Sequence, residues 1–208
     1  MNILKFLMLV VGLFVATSMA TVLCICTSDT PTVSTGATAN PNPIYGTNTT
    51  LSVLGADDGG ESALIYNWEK ICGPSIVNFS INGNNVSKSC VATFQNSGSY
   101  TLRVSIKDAQ KQIVTSDINI IVNANQTSIS ISPSSVTLSI NTSKQFTATA
   151  KDQFNIPMNP QPFFTWSVSS AGGIINSKGL FTAGSVPMSC TVTASAISQR
   201  GTANIIIR

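Results

Sequence analysis

Apolar and polar residues alternate along most of this chain of 208 residues. Asn48-Thr-Thr-Leu-Ser-Val-Leu54 and Leu64-Ile-Tyr-Asn-Trp68 set apolar side chains at every second position, as do Leu102, Val104 and Ile106, then Ile118, Ile120 and Val122. Successive side chains of a strand point to opposite faces, so a period of two marks strands with one buried face. The second half repeats the plan with Val136, Leu138 and Ile140; Phe146, Ala148 and Ala150; Phe164, Trp166 and Val168; Met188 to Ala194; and Ala203, Ile205 and Ile207. Gly59-Gly60, Gly73-Pro74, Asn82-Gly83 and Asn176-Ser-Lys-Gly179 punctuate the pattern as turns. No amphipathic helix stands out after residue 26. Trp68 and Trp166 each follow a Thr-rich alternating strand at a similar distance. An all-β chain is expected, with two tandem sandwiches and a core tryptophan on the third strand of each.

The first residues break the pattern. Lys5 is the only charge before Asp29, and Phe6 to Ala16 is uninterruptedly apolar. Ser18-Met19-Ala20 supplies small residues for a signal peptidase, so residues 1–20 read as a signal peptide cleaved after Ala20. The rival reading keeps residues 6–26 as an uncharged membrane anchor. Lipidation at Cys24 is weaker, because Leu23 stands where a small residue is normal. Each reading exports the rest of the chain, to a secreted or cell-surface location. Residues 21–35 read as a Thr/Ser/Pro-rich stalk, 36–123 as the first sandwich and 127–208 as the second. The polar linker between them is expected to carry few contacts. The last strand runs to Arg208, so no C-terminal anchor is expected.

Composition narrows the function classes. Charged residues make up 9% of the chain, against about a quarter in an average soluble domain. Ser, Thr and Asn supply the polarity, as suits an extracellular β protein. The net charge is +3 without a Lys/Arg cluster, which speaks against nucleic acid as a partner. Histidine is absent, removing the commonest general base and metal ligand. No nucleophile elbow, phosphate-binding loop or Cys/His constellation occurs, so the chain is not expected to be an enzyme.

Five cysteines are present. Cys72 and Cys90 both fall near strand ends in the same half of the first sandwich, so a bridge between them is expected in an oxidising compartment. Two separate buried thiols are the alternative. Cys190 lies on the apolar face of its strand and reads as a buried free thiol. Cys24 and Cys26 stay open between anchor, intermolecular bridge and no role.

Asn96-Ser-Gly-Ser-Tyr100, entering a late strand, resembles the tyrosine corner of immunoglobulin-like sandwiches. Asn42-Pro43, Thr49 to Glu61, Tyr66-Asn-Trp68, Gly73-Pro74 and Gly98 to Val104 resemble the PKD/REJ-like Ig modules of bacterial surface proteins. Ile131-Ser-Pro133, Gln145 to Phe154, Phe164-Thr-Trp166-Ser-Val168, Gly179 to Gly184 and Thr191 to Ala194 resemble bacterial Ig-like modules of the group 2 type. The resemblance implies a tandem of Ig-like modules used as spacers, stalks or adhesive repeats. It implies a protein or glycan partner or self-assembly, with membrane contact only through the N-terminal segment. Cys72 and Cys90 depart from the usual pattern of these modules.

In such a sandwich the loop between the second and third strands and the loop between the last two share one pole. Asp57, Asp58 and Glu61 occupy the first and Asp108 opens the second, half of the eight acidic residues in all. Calcium takes six to eight oxygens, so the four could form a cation site, the one cofactor to consider. Turn chemistry is the preferred alternative, because Asp starts turns and Gly59-Gly60 completes one. A glycosidase pair is not expected in so wet a loop. Sequons stand at Asn48, Asn78, Asn85, Asn125 and Asn141, open to glycosylation or to chance. Phe154 and Phe163 flank a proline-rich loop and are the aromatics best placed to bind a glycan, with core burial the preferred reading. The first function reading is a structural or adhesive surface protein; the second is a soluble ligand-binding module acting through its loops.

Overall fold

The computed structural model describes residues 29–208. The signal, anchor and lipidation readings, with Cys24 and Cys26, lie outside the described residues. Within them the chain is all-β, two tandem immunoglobulin-like sandwiches, with no α-helix. The first sandwich comprises β1 (Thr32–Asn40), β2 (Asn48–Ala56), β3 (Ile65–Cys72), β4 (Asn78–Phe79), β5 (Ser89–Thr93), β6 (Gly98–Lys107) and β7 (Ile113–Val122). Its sheets are β1-β2-β5-β4 and β3-β6-β7, and every pairing is antiparallel. β1 is a nine-residue strand. Part of the stretch read as stalk is therefore sheet.

The alternation dictates the core. Leu51, Tyr66, Trp68, Leu102, Val104, Ile106 and Ile120 are essentially inaccessible, while their strand neighbours face solvent. Leu64, Tyr66 and Trp68 share the buried face, as the period of two requires. The tyrosine corner is present: the Tyr100 hydroxyl donates to the Asn96 carbonyl at 2.8 Å. β3 is an edge strand, and an edge offers unpaired backbone to other chains. Here a loop covers it. The Asn82 side chain accepts from Trp68 N at 2.7 Å and donates to Trp68 O at 2.8 Å, and Tyr66 bonds to Gly83 and Asn84.

The second sandwich comprises β8 (Gln126–Ser132), β9 (Ser135–Leu138), β10 (Ser143–Gln145), β11 (Thr147–Asp152), β12 (Thr165–Val168), β13 (Gly173–Ile175), β14 (Leu180–Ala183), β15 (Ser189–Ala196) and β16 (Gln199–Ile207). One face is the sheet β12-β15-β16-β9, with β9 parallel to β16. The other is split into β10-β14-β13 and β11-β8, because one strand course breaks at Phe146 between β10 and β11. Both sandwiches send an early segment across to the second sheet: Ile44 bridges Val122 in parallel, as β9 does with β16.

The two tryptophans differ. Trp68 is buried and its indole N–H donates to Ser87 O at 2.8 Å. Trp166 pairs opposite Ala194, packs on the second core and stays half-buried. The second core relies on smaller residues, including Ala150, Ala183, Ala194 and Ala203, around the edge-to-face pair Phe146 and Phe181.

Candidate functional site

The acidic pole does not assemble. Among the described residues no group of three acidic or cysteine side chains comes together, so the four carboxylates expected to share a calcium are not gathered into one cluster. Each carboxylate is committed to its own loop. Asp57 Oδ2 accepts from Gly59 N at 3.1 Å, and Asp108 Oδ1 accepts from Gln112 N at 2.7 Å. Their second oxygens, Asp57 Oδ1 and Asp108 Oδ2, are buried without a partner. Asp58 stays exposed. Glu61 is spent on a network: Lys88 Nζ at 2.9 Å, the Tyr66 hydroxyl at 2.9 Å and Asn85 Nδ2 at 3.1 Å.

The Lys88 ammonium, hydrogen-bonded to Glu61, holds the Glu61 carboxyl below its usual value of 4.5; Tyr66 and Asn85 act in the same sense and burial against it. A depressed folded-state pKa gives stability that is present above the unfolded pKa and lost as pH falls through the folded one. The first sandwich is therefore expected to lose stability below about pH 4.5. Glu61→Gln should flatten that part of a pH–melting series, and an unchanged slope would remove Glu61 from the account. The pair is about one-third exposed, so its contribution at neutral pH is small.

The Cys72–Cys90 bridge is not formed in this structure. The two thiols stand on opposite sheets, Cys72 exposed and Cys90 buried, and both are free. Parity from Tyr66 and Trp68 points Cys72 inward, but a register shift between Lys70 and Cys72 turns it out. Burial pushes the Cys90 thiol up to about 11, away from thiolate chemistry. Cys190 is a buried free thiol, as its apolar face predicts.

Asn48, Asn78, Asn125 and Asn141 are exposed. Asn85 is half-buried, and its amide donates to Glu61 O at 2.8 Å and Leu64 O at 3.0 Å. The core burial expected of the loop aromatics does not hold for Phe163, a residue fully exposed at 103%. Phe154 is partly buried, against the core of the first sandwich rather than its own.

That placement identifies the junction as the feature the sequence concealed. The β11–β12 loop opens on buried Asp152, whose Oδ1 accepts from Phe154 N at 2.9 Å and Ile156 N at 3.0 Å. Asp152 N donates to Ile156 O at 2.9 Å, and Asn155 takes φ 63, closing a tight loop. Its tip carries Gln153 and Phe154. Gln153 Oε1 accepts from Asn125 N at 2.8 Å. Its Nε2 donates to Asn123 O at 2.8 Å and Gly46 O at 3.1 Å. One amide thus ties the linker and the adjacent pole of the first sandwich to the second. The linker is not the contact-poor segment its composition suggested.

No family model matches the sequence, and no curated protein matches it. Solved structures do. Drosophila N-cadherin EC1-4 overlays 86% of this chain and 49% of its own, at TM-score 0.56 and 14% identity. The protocadherin gammaB7 EC3-6 cis-dimer overlays 87% of this chain and 51% of its own, at TM-score 0.50 and 11% identity. The chain spans about half the length of these two structures. At such identity the likeness is one of fold, an Ig-like tandem.

Proposed function

We propose that this is an exported, non-enzymatic surface protein in which two Ig-like modules act as a stiff spacer carrying an adhesive end. The observation behind this reading is the Gln153–Phe154 latch. A spacer needs a fixed angle between modules, and three hydrogen bonds from one amide plus a docked aromatic supply one. Interfaces between domains of one chain otherwise favour relative motion. Export rests on the apolar N-terminal segment. The PKD/REJ-like and group 2 resemblance and the cadherin overlays add support, since both concern tandem arrays of such modules. Sequons at exposed Asn48, Asn78, Asn125 and Asn141 are available for glycans if the host supplies them.

Small-angle scattering on the chain from residue 29 tests the latch. The native protein should fit one arrangement of the two modules. Gln153→Ala with Phe154→Ala should broaden the distance distribution and split one melting transition into two. The coupling lost should be about 2–3 kcal/mol, from partial burial of one aromatic and a few hydrogen bonds. Equal scattering and melting in both proteins would remove the stiff-spacer reading.

A further inference from the structure

The second module has an unusual charge balance. From residue 126 on, Lys144, Lys151, Lys178, Arg200 and Arg208 face a single acidic residue, Asp152. Asp152 is 3% exposed and bonded into the junction loop. The accessible side-chain charge of this module is therefore entirely positive, while the first module holds the other described carboxylates. A one-signed field concentrates ligands of opposite sign at its surface.

On this module a groove of about 320 Å³ runs between the end of the proline-rich loop and the hairpin tip joining β13 and β14. Pro162, Phe163, Phe164, Trp166, Ser177 and Lys178 line it, and no carboxylate does. Both walls are pinned. The Gln161 amide bonds Ala150 N at 2.7 Å, Ala150 O at 3.1 Å and Met158 O at 2.6 Å, which fixes the approach to Phe163. Gln145 Nε2 donates to Lys178 O at 2.7 Å, and Asn176 Oδ1 accepts from Lys178 N and Leu180 N, which fixes the hairpin tip. The Phe163 ring thus stands in water two residues beyond a hydrogen-bonded anchor.

Of the groove's polar side chains, the Trp166 indole and the Lys178 ammonium can only donate, and the Ser177 hydroxyl can donate or accept. Trp166 Nε1 has no hydrogen-bond partner in the structure and is not one of the fully buried unpaired atoms, so it keeps some access to solvent. The equivalent group of Trp68 is consumed by Ser87. Lys178 forms no ion pair among the described residues. An exposed aromatic face beside an indole N–H, a hydroxyl and an ammonium suits a ligand with an apolar face, acceptor oxygens and a negative charge.

We infer that this groove binds a carboxylated sugar chain. One pyranose face lies on Phe163, and its acid group meets Lys178 and the Trp166 N–H. The inference rests on the adhesive half of the reading above and names its partner class; the stiffness of the latch is independent of it.

The test uses the same chain from residue 29, titrated with polygalacturonate, hyaluronate and polysialic acid, with methyl-esterified polygalacturonate as the neutral control. Single-stranded oligothymidine tests for attraction to charge alone. Acrylamide quenching is the readout, because Trp166 is half-exposed and Trp68 is buried. At least one acid polymer should protect Trp166, and the ester should not. Phe163→Ala and Lys178→Ala should each weaken binding at least tenfold, and Lys144→Ala, outside the groove, by no more than twofold. Phe163 is fully exposed, so its variant should melt like the native protein. Equal losses in Lys144→Ala and Lys178→Ala, equal binding of the ester, tighter binding of the oligonucleotide, or no protection by any acid polymer would each overturn the site. Scattering that still fits one arrangement would then leave the spacer standing.

Discussion

Trp68→Ala should unfold the first sandwich at ordinary temperature. The indole is 2% exposed among Leu102, Val104 and Tyr66, so its loss removes buried area and leaves a cavity, together about 3–5 kcal/mol. A second cost follows. The Ser87 carbonyl that receives the indole N–H at 2.8 Å would be left without that donor, worth about 1–3 kcal/mol more. A module of this size has about 5–13 kcal/mol in total, so the sum takes much or all of it. Trp166→Ala should cost the second sandwich about half as much, because that indole is half-buried and unbonded. Urea titrations followed by circular dichroism should show the single native transition of the coupled modules replaced, in Trp68→Ala, by a smaller one that belongs to the second sandwich alone. Its midpoint should fall slightly, since Phe154 loses its docking surface. Equal damage from the two substitutions would mean that the burial difference is not energetic.

The alternation carried most of the fold. Every strand that reads apolar at every second position is present, and Tyr100 makes the bond expected of a tyrosine corner. What stayed hidden was set by single-residue departures from that period. One bulge near the end of β3 turns Cys72 out of phase with Tyr66 and Trp68, which undoes the bridge expected to Cys90. The break at Phe146 splits one strand course into β10 and β11, and Trp166 is less covered than its counterpart Trp68.

The sites were less legible than the fold because their meaning lies in tertiary partners. Asp57 and Asp108 look alike as letters from a calcium loop, yet each bonds within its own turn. Gln153 and Phe154 follow an Asp that starts a tight loop, which sequence could have flagged as a rigid tip. Nothing local says that this tip meets Gly46 and Asn123, which lie outside its own module. The second module's charge balance was available from the letters alone; a whole-chain total of +3 concealed it by averaging over two unlike halves.

The second large effect belongs to a glycine. Gly73 ends β3 at φ +142, a backbone region that L side chains rarely adopt. A Cβ there would lie 2.2 Å from Tyr100 Cδ1 and 2.8 Å from Cγ and Cε1. The ring cannot yield freely, because it packs edge-on against Phe94 at 4.7 Å between centroids and its hydroxyl is held by Asn96 and Ser75. Opposite, Gly98 takes φ +140 and approaches Pro74, so the backbone on the far side is committed as well. Gly73→Ala therefore adds backbone strain of about 1–3 kcal/mol to overpacking of a similar size. The expected outcome is a loss of about 2–6 kcal/mol from the first sandwich, with the tyrosine corner broken. Gly46→Ala is the control: its Cβ would meet nothing within 4 Å, and the melting temperature should hold. Thermal melts with near-ultraviolet dichroism decide the matter. A Gly73→Ala protein with native melting and native tyrosine signal would show that the chain can relax around residue 73, and that the corner does not fix the end of β3.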